Sequence, residues 1–572
     1  MGTVNSSLTQ RHRDTERAPL RVSVSLCEPR FWMVMKKQLA FVLALVSGPL
    51  AAQLPADTAT RADTVPAPAA PEWVPIGSAA EDRLRTAQLL GQEPSRGYLV
   101  RSVSSYAGPR AEGVQFLRPH LRAVYNSYLP VSANEGLAWS GRGVGFHGLV
   151  GARARFGRVT VIAAPEVAYT QNRDFQRIPA DAGDGRNPFA HPFHGPASSL
   201  DAPLRFGDDP VVRVSLGQSS VTAQAGAFAA GAATESLWWG PGMRNALLMS
   251  NNAPGFPHLF VRTSPEGLRT RFGTLEGRWV AGGLSQSSYF DDEDEGRTIA
   301  ALALAFTPRG EPGLTLGATR AVYRAARPWS APLRFLDVLI PVRHPEPPRP
   351  PAVESAAGST DQLFALFGRW VFPESGFEMY TEWARQEGFG SVRELLASPD
   401  ATQGYTVGMQ WVSPGERASR LRLQAELTTL EQNDAVRNRP QSSFYTSTNV
   451  PQGYTHRGRV IGAAIGPGSS HQWAAADYLR RDWRAGVFAA RTRWDEDALE
   501  RISTRNPRGH DVQGVVGLRG ARRVAGWEVT GEYSFGRRLN WLFQNTARAF
   551  NDFDSVDVNL SNFVLTVSPS AR

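Results

Sequence analysis

Within the stretch Glu235 to Ala253 lie two adjacent tryptophans, a Gly-Pro-Gly turn, an Arg-Asn pair and a Ser-Asn-Asn triplet. Gly240 and Gly242 free the backbone for turn conformations, and Pro241 presets one of them. Trp238 and Trp239 offer flat faces that can cover the C–H side of a pyranose. Arg244, Asn245, Asn251 and Asn252 offer donors and acceptors for its hydroxyls or carboxylates. Sugar binding is the chemistry these types suit. A packed structural turn accounts for the same residues, and local chemistry does not separate the two.

Other residue types point less far. His191, His194 and His344 are scattered without carboxylates at ligand spacing, so no metal site is expected. Asp291-Asp-Glu-Asp-Glu295 lacks the glycine-spaced order of a calcium loop and reads as a solvated turn. There is no Gly-x-Ser-x-Gly elbow and no His-Glu-x-x-His; His456, between Thr455 and Arg457, is the one candidate base. No catalytic residue, metal or cofactor is assigned, and a non-enzyme is expected.

The elements that would hold the aromatic stretch are strands. From about Phe116 to Val567 the dominant pattern has period two. Leu421, Leu423, Ala425 and Leu427 alternate with Arg422, Gln424, Glu426 and Thr428. Phe377, Met379, Thr381 and Trp383 alternate with Glu378, Tyr380 and Glu382. Val144, Phe146 and Val150 alternate with His147, Arg153 and Arg155, and Trp527, Val529 and Tyr533 with Glu528, Thr530 and Glu532. A soluble core would not accept Arg and Glu in almost every strand, whereas a polar lumen does. The expectation is all-β: a large transmembrane antiparallel β-barrel over residues 116–572. At roughly 25 residues per strand with its turns, it would have about 18 strands. Trp370, Phe372, Tyr380 and Trp383 would suit its interfacial girdles. Pro341 to Pro351, with six prolines, must be a loop.

Upstream, Lys36-Lys37, the apolar run Leu39–Val46 and a cut after Ala52 form a secretory signal. Residues 1–52 are read as that leader behind an over-extended start. Residues 53–76 form a Pro/Ala-rich linker. Within 77–115, Ser78 as N-cap, Glu81 three residues on and Gly91 as stop predict a short helix on the periplasmic side. The only cysteine, Cys27, precedes the cut, so disulfides and thiolate chemistry are excluded from the mature chain. Removing the seven Lys/Arg and three Asp/Glu of residues 1–52 from the totals of 62 and 53 leaves a net charge of +5. That charge is unclustered, which argues against nucleic acid. No lysine follows Lys37. Every mature cation is an arginine, able to pair bidentately with carboxylates or phosphates of an acidic glycan or lipopolysaccharide.

Several segments together resemble one family. Trp238-Trp-Gly-Pro-Gly242 running into Leu248-Met-Ser-Asn-Asn-Ala-Pro254 is the most specific. In order around it stand Gly141-Arg-Gly143, Ala164-Pro-Glu166, Gln171-Asn-Arg-Asp-Phe175 and Arg205-Phe-Gly207. Gly376-Phe-Glu-Met-Tyr-Thr-Glu-Trp-Ala-Arg385 and Gly453-Tyr-Thr-His-Arg-Gly458 follow. The chain is similar here to the capsule assembly proteins of the Wzi type. The resemblance implies an outer-membrane lectin-like barrel in a two-membrane cell that binds and anchors or organises capsular or extracellular polysaccharide without enzymatic activity. Its ligand-binding candidates are Trp238, Trp239, Arg244, Asn245, Asn251 and Asn252, its other partner is outer-membrane lipid or lipopolysaccharide, and a monomer is expected. The inward charges leave a porin-like channel for small solutes or sugars as the alternative. One departure is the C-terminus, where Phe563-Val-Leu-Thr-Val567 is followed by Ser568-Pro-Ser-Ala-Arg572 rather than a final aromatic residue.

Overall fold

The structure is a computed structural model. It describes residues 74–95, 97–106, 112–180, 186–194, 199–264, 266–291, 295–340, 342, 358–386, 402–414, 419–432, 442–502, 509–544 and 556–570. The leader, nearly all of the linker, the middle of the acidic run, His344 and all the prolines of the Pro341–Pro351 segment lie outside the described residues.

Alternation over runs of 10 to 14 residues builds fourteen long antiparallel strands, and four shorter or interrupted ones complete a closed ring of eighteen. They are β1 (Gly113–Asn126), β2 (Gly143–Phe156), β3 (Val159–Ala163 and Glu166–Thr170), β4 (Val211–Ser215 and Ser220–Ala225), β5 (Phe228–Ala233) and β6 (His258–Thr263 and Leu268–Arg269). Then come β7 (Gly273–Leu284), β8 (Arg297–Pro308), β9 (Leu314–Ala325), β10 (Thr360–Phe372), β11 (Phe377–Gln386) and β12 (Gln403–Val412). The last six are β13 (Ser419–Thr429), β14 (Ser470–Arg480), β15 (Trp483–Trp494), β16 (Asp511–Val524), β17 (Trp527–Leu539) and β18 (Val558–Pro569). Strand β18 pairs back onto β1, from Leu121↔Val567 to Asn126↔Asn562, so no sheet edge is left open. Pro165 and Gly217 sit at the breaks in β3 and β4, where Pro165 has no N–H to give and Gly217 has φ +56°.

The two faces of this wall are inverted relative to a soluble protein. Leu421, Leu423 and Leu427 are exposed, while Arg422, Gln424, Glu426 and Thr428 are buried. Met379 is half exposed, and Glu378 and Glu382 are fully buried. Arg278, Arg297, Arg369, Arg385 and Arg422 are among the largest fully buried side chains. Apolar outside and charged inside is the arrangement a barrel in lipid requires. No described helix is long and apolar enough to cross a membrane. The chain is therefore an outer-membrane β-barrel. One girdle residue is corrected. Tyr380 points into the lumen and its hydroxyl donates to Glu426 at 2.7 Å, because its parity matches Glu378 and Glu382. Trp370 and Phe372 do pair on the outer side near a short turn, 4.9 Å apart.

Eight connections are short turns at one end, and nine are long loops at the other. Short turns face the periplasm in such barrels, so the long loops face outward. Helix α1 (Ala79–Leu89) lies at the short-turn end inside the lumen. Ser78 Oγ accepts the Glu81 N–H at 3.3 Å, and Glu81 Oε2 reaches back to the Gly77 N–H at 2.7 Å. The helix is clamped to the wall by ion pairs. Arg85 pairs with Glu378 at 2.6 Å, Asp82 with Arg422 at 2.8 Å and also with Arg484, and Arg83 with Glu528. Burial opposes the ionised Asp82, but Arg422 and Arg484 outweigh it and hold its carboxyl below the usual range.

Candidate functional site

The Glu235–Ala253 stretch belongs to a long loop that folds down into the barrel. Leu237–Trp239 forms a short strand antiparallel to Val100–Ser102, the segment that follows α1, with Arg101 opposite Trp238. The Trp239 N–H donates to Met249 O at 3.0 Å and the Gly240 N–H to Leu99 O at 2.8 Å, which closes the turn on itself and on the N-terminal segment. Gly240 has φ +110°, and a Cβ there would lie 2.7 Å from Glu382 Oε2. Only glycine fits both conditions.

Two inward carboxylates seat the turn. Glu426 on β13 accepts the backbone N–H groups of Met243, Arg244 and Asn245 at 2.5, 3.0 and 2.9 Å, besides the Tyr380 hydroxyl. Glu382 on β11 accepts the Leu247 N–H at 3.1 Å. Consecutive backbone N–H groups aimed at one carboxylate make an anion nest. At its start the stretch is held by Glu235, which is fully buried. Glu235 accepts from the Ser104 N–H at 2.7 Å, the Ser104 hydroxyl at 2.6 Å and Arg278 at 2.8 Å.

A second long loop, the one between β13 and β14, packs on the first. Tyr445 donates to Leu247 O at 2.7 Å and stacks on Tyr454, with ring centroids 6.1 Å apart. Trp239, Leu247, Phe444, Tyr445 and Tyr454 are all fully buried against inward residues of the wall such as Ile299 and Tyr323. The lumen on this side is a closely packed, largely apolar core. Toward β13–β18 and β1 the loops leave a polar cavity of about 300 Å³. Trp238, Arg244 and Asn251 line it, facing Trp473, Arg519 and Glu532. The Arg244 and Arg519 guanidinium carbons lie 5.4 and 5.1 Å from the Trp473 ring centre, and that of Arg101 lies 5.3 Å from the Trp238 ring.

The structure divides the six candidates. Trp238, Arg244 and Asn251 reach the cavity. Trp239 is wholly inside the packed plug, and Asn245 is 2% exposed with its N–H on Glu426. Asn252 is spent on the loop–loop joint, donating to Val460 O at 2.9 Å and accepting from Arg459 at 2.9 Å. None of the six lies on the outer loop surface. Glu235, Glu382 and Glu426 were not singled out as site residues. For Glu382 and Glu426 the signal is the charged half of the strand alternation and, for Glu382, its place in the Gly376–Arg385 segment; Glu235 opens the aromatic stretch itself.

The shorter motif segments converge as well. The Asn172 side-chain amide donates to the carbonyls of Phe206 and Gly207 at 3.1 and 2.9 Å, and Arg205 donates to Asn172 O at 2.8 Å. A Cβ on Gly458 would lie 2.8 Å from the Phe206 ring. His456 is buried, with Nδ1 accepting the Ser285 N–H at 3.0 Å and Nε2 without a hydrogen-bond partner among the described residues.

The histidines do have a carboxylate near them, which spacing did not reveal. His191, His194 and Asp495 come together across the outer loops. His194 Nε2 lies 2.7 Å from Asp495 Oδ2, and the Arg501 guanidinium lies 3.4 Å from His194 Nδ1. Both ring nitrogens are engaged. Burial, more than the neighbouring His194, pushes the His191 pKa down to about 3, and the His194–Asp495 contact ties two outer loops together.

Residues 131–323, about a third of the chain, match the family described as capsule assembly protein Wzi. This is the family that the motif segments resemble, and the matched region holds the whole Glu235–Ala253 turn. No curated protein sequence matches the chain at a significant level. Among solved structures, similarity extends to Wzi of Escherichia coli, described as a carbohydrate-binding β-barrel involved in group 1 capsule assembly. It is 10% identical, with 80% of this chain and 85% of that one covered and a TM-score of 0.49. OccAB2 of Acinetobacter baumannii is 8% identical over 79% and 96% of the two chains, with a TM-score of 0.38. OccK2 of Pseudomonas aeruginosa, solved with glucuronate, is 11% identical over 81% and 100%, with a TM-score of 0.36. Identities this low speak to fold alone, and none of these scores reaches 0.5.

Proposed function

We propose that this barrel, whose residues 131–323 carry the Wzi family match, is a non-enzymatic outer-membrane protein that binds cell-surface polysaccharide and anchors or organises it. The observation that carries the reading is the plug. Two outer loops and α1 occupy much of the lumen with buried, mutually hydrogen-bonded structure around a cavity of about 300 Å³, whereas a channel for solutes needs an open water path. The porin-like alternative is disfavoured on that ground. Catalysis finds no support in the buried His456, whose Nε2 meets no nucleophile among the described residues.

Polysaccharide is the partner that the residue types favour. An all-arginine cationic complement and a tryptophan flanked by two guanidinium groups suit an acidic glycan. Trp238, Arg244 and Asn251, which line the cavity, are the residues we assign to a sugar that enters it. Trp239, Asn245 and Asn252 act by holding the turn. A strain lacking the protein, compared with one complemented by the wild type, tests the anchoring role by the amount of cell-bound polysaccharide. Release of polysaccharide into the medium on deletion is expected. Unchanged retention would remove the anchoring role.

A further inference from the structure

The loop after β9 does not stay at the rim. Residues Pro328–Leu339 form a 3₁₀ segment that turns down the outer side of the wall. Its inner face rests on outward-pointing residues of β7, β8 and β9. Trp279 donates to Phe335 O at 2.8 Å and its ring lies 4.9 Å from that of Phe335. Arg320 donates to Val338 O and Ile340 O at 2.7 and 2.8 Å, and Arg324 to Asp337 at 3.2 Å.

Strand register fixes how far down the wall this reaches. Trp279, Leu302, Arg320 and Phe364 lie in one outward row across four strands. Trp279 is five residues below the end of β7, about 16 Å along the strand. Between that row and the rim, outward Ala281, Ala300 and Val322 are only 1, 1 and 3% exposed, so the segment covers them. The next row down holds Leu304 and Leu366, which are 39 and 51% exposed. The segment is laid on the wall where the lipid-facing band begins.

Its other face is apolar and uncovered. Trp329, Leu333, Leu336, Leu339 and Ile340 are 72, 79, 61, 56 and 54% exposed. That surface runs on into the Leu304–Leu366 band. The two outward arginines beneath it, costly against lipid, have carbonyl and carboxylate partners supplied by the segment itself. We propose that Pro328–Ile340 is a membrane-anchoring surface whose exposed face is immersed in the acyl chains of the outer leaflet. The occupant is lipid because the patch is continuous with the barrel's own lipid-facing band. Trp329 and the exposed Arg327 at its upper end suit the interface between chains and headgroups.

The absence of cysteine after Cys27 makes a direct test possible. Leu333→Cys and Leu336→Cys, each in the chain that begins after residue 52, are spin-labelled and refolded into phosphatidylcholine vesicles. Leu316→Cys on the lipid-facing band and Asp209→Cys on an exposed loop serve as references. Heat-modifiable gel migration verifies folding of each variant. The labels at 333 and 336 are expected to match Leu316→Cys, accessible to oxygen and several-fold less accessible to a water-soluble nickel chelate. Nickel accessibility like that of Asp209→Cys would show a water-exposed loop and overturn the proposal. Shielding from both reagents would show a protein cover, a second copy included, and would overturn it equally.

Discussion

Glu426 and Arg244 meet through the backbone rather than through their opposite charges: the carboxylate oxygens of Glu426 lie 3.0 and 3.1 Å from the Arg244 N–H. The Arg244 guanidinium is thereby left to the cavity, beside Trp473. One strand residue thus fixes the turn and aims its side chain.

Hydrogen bonds to a charged acceptor contribute about 1.5–3 kcal/mol each. Glu426→Ala removes the acceptor for Met243, Arg244 and Asn245 together and is expected to free the turn. Limited trypsin digestion of the folded barrel in detergent reads this directly, since Arg244 becomes a cleavage site. Fragments ending at Arg244 are expected from the variant and not from the wild type. An uncut variant would show that the turn is held by other means.

Gly240→Ala places a Cβ against Glu382 in a backbone region that side chains disfavour, a cost of about 1–3 kcal/mol. A lower midpoint of thermal unfolding in detergent is expected. An unshifted midpoint would show that the turn relaxes without loss.

Asp497, in the loop helix Glu496–Ile502, accepts the Gln432 N–H at 2.9 Å. Burial pushes its carboxyl up to about 7 from a usual value near 3.8. The folded state therefore holds a proton that the unfolded chain releases. This contribution to stability is complete below pH 3.8 and lost as pH rises through about 7. Asp497→Asn is expected to flatten the pH dependence of the unfolding midpoint across that window. An unaltered profile would show that another group governs it.

Trp238→Ala empties a cavity wall without touching the Trp239–Met249 bond that closes the turn. Weaker binding of acidic polysaccharide by a barrel with unchanged gel mobility is expected. Equal affinity would make Trp238 a spacer.

Much of the barrel was legible because lipid outside and charge inside impose period two on every strand. Arg422, Gln424 and Glu426 turned inward as their alternation required. Tyr380 was misread because an amphipathic ring suits an interfacial girdle as well as a polar lumen. The plug was not legible, since its contacts join distant positions: Glu426 lies 183 residues from Met243, and Glu382 lies 135 from Leu247. Asp495 meets His194 across 301 residues for the same reason. The draped segment is not legible either, because its apolar run carries no strand period and its place depends on Trp279 and Arg320.

The central claim is a plugged barrel that binds polysaccharide rather than passing solutes. Its most direct test uses one purified sample: equilibrium binding of cell-surface polysaccharide in detergent, alongside single-channel recording in planar bilayers. Saturable binding with little current is the predicted result. Steady ohmic channels with no polysaccharide binding would contradict the account.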